Sequence, residues 1–162
     1  MICFRAVVAT LLWSFALGAA ADIQGRVIGV SDGDTVTVRD EDKVQHKIRL
    51  AGIDAPELRQ AFGRRSKEAL SACAFGKEAA VVGNKIDRYG RLVGKVLILG
   101  DDCNLRQVEL GLAWLNKTYE REQSISDRGA YGLAELRAKE SQLGLWQDLS
   151  PQPPWDYRRE KR

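Results

Sequence analysis

The stretch "IQGRVIGVSDGDTVTVRDEDKVQHKIRLAGI" (residues 23–53) decides the fold. Its β-branched runs alternate with turn-forming polar residues, the pattern of short strands rather than of a helix. "IQGRVIGV" (23–30) reads as a first strand, "SDGD" (31–34) as a turn and "TVTVR" (35–39) as a second strand. "DED" turns the chain again, and "KVQHKIRLAGI" (43–53) reads as a third strand with Gly52 as a bend or bulge near its end. Three strands on short turns make a meander.

Working outward, "RRSKEALSACAF" (64–75) predicts a helix, with Ala69, Leu70, Cys73 and Ala74 at helical spacing and Gly76 as a stop. "KEAAVVGN" (77–84) and "RLVGKVLILG" (91–100) read as two more strands. Asn104 is the expected cap of a short helix through Leu112. A last helix is expected from Asp127 to Gln142, where Leu133, Leu136 and Ala138 lie among charges. The proline-rich, then basic, end (148–162) reads as an extended or loosely docked tail. Five strands with a helix between the third and fourth predict an α+β, mainly β architecture: a five-stranded OB-type barrel with about three helices.

Bulk properties set limits. The chain of 162 residues is 44% hydrophobic and 29% charged, as a single globular domain with short extensions would be. Its net charge of +3 is compatible with a polyanionic partner and excludes nothing else. Residues 1–21 carry one charge, Arg5, then an apolar run of about 12 residues and the small residues Gly18 to Ala21. That is the layout of a signal peptide, too short to span a bilayer comfortably. The expected organisation is therefore a signal at 1–21, a folded domain at 22–147 and a tail at 148–162. The exported chain would be periplasmic or secreted, and it would have no membrane partner once the signal is removed. Two cysteines remain after the signal, Cys73 and Cys103. In an oxidising compartment they pair, or each serves as a buried thiol among apolar neighbours. Zinc is not indicated, because the chain has no CxxC and a single histidine, His46.

Three segments stand out together: "SDGDT" (31–35), "IRLAGIDAPE" (48–57) and "DRYGR" (87–91). In this order on this strand pattern they resemble the staphylococcal-nuclease-like (thermonuclease) family, from about Ile23 to Trp146 and including "GLAW" (111–114) and "GLW" (144–146). The resemblance implies an OB-fold enzyme that uses one Ca²⁺ to cleave phosphodiesters in DNA and RNA with low sequence specificity, leaving 3′-phosphate ends. It implies Asp34, Asp54 and the backbone carbonyl of Ala55 as calcium ligands, and Glu57 as a general base acting on water. Arg49 and Arg91 would grip the scissile phosphate, and Tyr89 would contact a neighbouring one. Nucleic acid would be the substrate and the protein a monomer. A non-catalytic nucleic-acid-binding module is the alternative, since some domains of the family have lost their acids; here Asp34, Arg49, Asp54, Glu57 and Arg91 are all present.

The chemistry asks for the same residue types. Calcium takes oxygen ligands and tolerates water, so two carboxylates and a carbonyl leave room for water and a phosphate oxygen. Guanidinium forks meet phosphate oxygens bidentately, which lysine does not. One geometric demand follows: strand alternation puts Arg49 and Asp54 on opposite faces unless the chain bends at Gly52. The sequence departs from the family pattern after "GLA". There an ungapped alignment puts Lys117 at the place of a base-stacking tyrosine, with Tyr119 two positions on, so a phosphate contact by Lys117 is expected. The loop after Glu57 is short, and Arg59, Arg64, Arg65 and Lys67 are candidates for its charge. The superposition that the motifs imply puts Cys73 and Cys103 on core-facing positions and favours a disulfide.

Overall fold

A computed structural model describes residues 23–161 of the chain; the expected signal peptide at 1–21 lies outside the described residues. The meander forms as β1 (Ile23–Asp32), β2 (Thr35–Arg39) and β3 (Gln45–Leu50), each pair antiparallel. β4 (Ile53–Asp54) follows, then helix α1 (Gly63–Ala74), β5 (Glu78–Ile86) and β6 (Leu92–Ile98). β5 pairs with both β1 and β6, and β6 returns to lie parallel to β3 with Ile48 opposite Leu92. That last pairing closes a five-stranded barrel, as the sequence predicts. β7 (Asp101–Asp102) extends β6, and β8 (Trp114–Leu115) pairs with β4 outside the barrel.

The inward positions are filled by Val27, Val36, Val38, Ile48, Val81 and Val96, all fully buried. Each such aliphatic side chain contributes about 1.5–3 kcal/mol when taken from water. α1 closes one end of the barrel with Leu70 and Ala74. α2 (Cys103–Glu109) packs against α1 and β6, and α3 (Ile125–Glu140) packs against α2 and β8.

Four details differ from the sequence reading. The third strand is two pieces, β3 and β4, because Gly52 adopts φ +75° between them. The cap of α2 is Asp102, whose carboxylate accepts from Asn104 N and Leu105 N; Asn104 lies inside the helix. On α3 the buried face is Tyr131, Ala134, Glu135 and Ala138, whereas Leu133 and Leu136 are about half exposed. Tyr131 is held inward by donating a 2.7 Å hydrogen bond to Asp102, the cap of α2. The C-terminal tail is not extended. Residues Pro154–Glu160 form a fourth helix, α4, with Pro154 at its first turn, where proline has no hydrogen bond to lose. Among the described residues, no helix is long and apolar enough to cross a membrane.

Candidate active site

A cleft of about 610 Å³ opens where β3, β4 and the β5–β6 turn meet the segment after β8. Asp34 reaches it from the β1–β2 turn. Its backbone carbonyl accepts from Leu50 N at 2.8 Å, and its Oδ2 accepts from Ala55 N at 2.6 Å. Beneath this turn, buried Gln107 donates to the Gly33 carbonyl (2.6 Å) and to Ser66 Oγ (3.0 Å). A Cβ on Gly33 would come within 1.8 Å of Ser66 Oγ, so only glycine fits between the turn and α1. Buried Asn104 donates to the carbonyls of Ala51 and Gly94 and accepts from Val96 N, which pins the β3–β4 bend to β6.

The bend at Gly52 meets the geometric demand. Arg49 and Asp54 come together, and one guanidinium serves two acids: Nη1 lies 2.8 Å from Asp34 Oδ2 and Nη2 2.9 Å from Asp54 Oδ1. Both acids are buried. Burial pushes the Asp34 carboxyl up to about 7; Arg49 pulls it down, while the charges of Asp32 and Asp54 push it further up. The two buried acids thus share one arginine, and burial disfavours the charged form of Asp34.

Glu57 follows Pro56 in the same loop, with its side chain 40% exposed and its backbone N–H held by Gln60. Arg91 and Tyr89 line the cleft from the β5–β6 turn. Asp87 organises that turn: one oxygen accepts from Tyr89 N (2.9 Å) and Arg91 N (3.0 Å), the other from Arg91 Nε at 2.7 Å. Burial alone would raise Asp87, but these bonds from Arg91 and Tyr89 outweigh it and hold it below the usual carboxylate range. Lys117 is exposed and stands outside the cleft lining, which takes Asn116, Thr118 and Tyr119 from that segment instead. Cys73 and Cys103 are joined in a disulfide between α1 and the start of α2, with Cα atoms 6.1 Å apart.

One residue in the cleft escaped the sequence reading entirely. Arg158, on α4, places Nη2 2.7 Å from Asp54 Oδ2 and Nη1 2.9 Å from Glu57 Oε1. Its sequence neighbours offer only a basic run, "RREKR" (158–162), with nothing local to say which arginine turns inward. Asp87 did have a signal, an aspartate opening a turn that ends in glycine.

Comparison with known proteins bears directly on this arrangement. Residues 47–148 match the family model described as staphylococcal nuclease homologue. The chain belongs to the staphylococcal nuclease family. Within it, the chain is 38% identical to an uncharacterized endonuclease of Escherichia coli O157:H7 over 87% of its own length and 88% of the relative's. It is 35% identical to a micrococcal nuclease of Shigella flexneri over 96% and 91%. A probable staphylococcal-like nuclease of Oryza sativa subsp. japonica is 34% identical over 91% of this chain and 36% of its own length. The family match takes in Arg49, Asp54, Glu57 and Arg91; Asp34 precedes it and Arg158 follows it.

Proposed function

We propose that this chain is an exported, monomeric, calcium-dependent endonuclease that hydrolyses phosphodiester bonds of DNA, RNA or both with low sequence specificity, leaving 3′-phosphate ends. The observation that carries the reading is the convergence of two buried acids, Asp34 and Asp54, with Glu57, Arg49 and Arg91 around one cleft.

The donor set fits a hard divalent cation. Among the described residues no three His, Cys, Asp or Glu side chains cluster as ligands. Two buried carboxylates and the Ala55 carbonyl are all oxygen donors, the ligand type that a hard cation takes. When bound, Ca²⁺ would polarise a phosphate oxygen and balance the charge that builds on it. The remaining work falls to side chains. Glu57 accepts the proton of an attacking water at Oε2, the oxygen that Arg158 leaves free. Arg91, oriented by Asp87, presents its remaining guanidinium N–H groups to the phosphate, and Arg49 adds a second cation beside it. Tyr89, 66% exposed at the rim, meets a neighbouring phosphate. Lys117 can reach nucleic acid only outside the cleft. Export is supported by the layout of residues 1–21 and by the Cys73–Cys103 disulfide, which suits an oxidising compartment.

The test is a cleavage assay on single-stranded DNA, duplex DNA and RNA, in calcium and in EGTA. Cleavage that vanishes in EGTA and falls by about 10²–10⁴ in Glu57→Gln is expected. Cleavage that persists in EGTA overturns the calcium requirement. Unchanged turnover in Glu57→Gln overturns the assignment of the base. Binding without cleavage in wild type identifies a non-catalytic module.

A further inference from the structure

α4 is seated in the cleft by contacts that do not involve its arginine. Gln60 Nε2 donates to the Gln152 carbonyl at 2.5 Å, Pro154 is buried, and the Trp155 ring stands edge-on to Trp114 with centroids 5.8 Å apart. From this seat Arg158 spans the two acids on which the reaction depends. Asp54 receives three guanidinium bonds: one from Arg49 (2.9 Å) and two from Arg158 (2.7 and 3.2 Å). An ionised carboxylate offers about four lone-pair sites, so Asp54 keeps little capacity for any other cation. Arg158 also holds Oε1 of Glu57 at 2.9 Å.

We propose that Arg158 is a built-in counter-cation: it holds Asp54 and Glu57 while metal is absent, and it must leave Asp54 before a divalent cation can be taken up there. α4 is thus a strap that lowers the metal affinity of its own active site. This inference rests on the calcium reading above. Its physical basis is competition between two cations for one buried carboxylate, of which only one can use the same lone pairs. The strap is suited to release. It is a single short helix, Arg158 is 41% exposed, and its anchors are a few ring and backbone contacts. Because the Gln60–Gln152 bond lies ahead of the helix, α4 can lift off Trp114 and stay tethered beside the cleft.

Calcium titration by calorimetry, without nucleic acid, tests this in wild type, Arg158→Ala, Arg158→Lys and Trp155→Ala. Arg158→Ala is expected to lower the Kd for Ca²⁺ about tenfold. Arg158→Lys should fall between the two, since an ammonium cannot fork across both oxygens. Trp155→Ala unseats the helix without touching an acid and should tighten calcium binding as well. In wild type, calcium should also shift tryptophan emission as Trp155 leaves Trp114, and Trp155→Ala should lack that shift. Calcium binding with unchanged or weaker affinity in both Arg158→Ala and Trp155→Ala overturns the strap while leaving the calcium reading intact. Absence of calcium binding in all four proteins overturns both.

Discussion

Asp34 is held where ionisation is unfavourable, and that makes it a reporter for the cleft. Its carboxyl is raised from 3.8 to about 7, chiefly by burial and against the pull of Arg49. An acid whose folded pKa is raised binds its proton more tightly when folded. Its contribution to stability is then fully present below about pH 4 and is lost as pH rises through about 7. In EDTA, Asp34→Asn should therefore gain on wild type as pH rises: the difference in Tm should be larger at about pH 8 than at about pH 5. Equal differences at both pH values would show that Asp34 is not the titrating group. Asp34 was legible in the sequence because "SDGDT" stands in order with "IRLAGIDAPE" and "DRYGR", the three segments that carry the family resemblance. Asp87 and Arg158 were less so. One acts through Arg91 across a turn, and the other is 101 residues from Glu57.

At the scale of elements, the link between β3 and β4 does the most to build the site. Alternation along a continuous strand would keep Arg49 and Asp54 apart, and the φ of +75° at Gly52 removes that obstacle. A side chain there meets two penalties, the left-handed backbone and a Cβ within 2.1 Å of Gln123 Nε2. Gly52→Ala should cost about 1–2 kcal/mol by urea denaturation, and it should lower turnover more than the lost stability explains, because Asp54 moves with the bend. Gly76→Ala is the control. It shares φ +75° but meets nothing within 4 Å, so it should lose less stability and keep its activity. Equal turnover in the two variants would separate the bend from the chemistry. The barrel strands were legible because β-branched runs between polar turns specify them locally. The helices were read less well. The buried face of α3 is chosen by tertiary contacts at Tyr131 and Glu135, and α4 begins with prolines that also suit an extended tail.

Across the whole molecule, the site depends on the helices keeping their places under the barrel. Gln107 of α2 donates to the carbonyl of Gly33 and to the carbonyl and hydroxyl of Ser66 on α1, so one side chain links the turn that carries Asp34 to both helices. The Cys73–Cys103 bond ties the same two helices across 30 residues of chain. On the chain-entropy account, a closed loop of that length stabilises by about 3–4 kcal/mol, acting on the unfolded chain rather than on the cleft. The double variant Cys73→Ser, Cys103→Ser should therefore melt well below wild type. Below its own transition it should cleave at close to the wild-type rate, because Gln107 still holds Gly33. Gln107→Leu should do the reverse in proportion: it removes the bonds to Gly33 and Ser66, and should lower turnover more than its loss of stability accounts for. Melting curves and single-temperature rates on the two variants separate the contributions. If the cysteine variant loses turnover while still folded, the disulfide positions the Asp34 turn directly, and the polar contacts alone are not enough to support it.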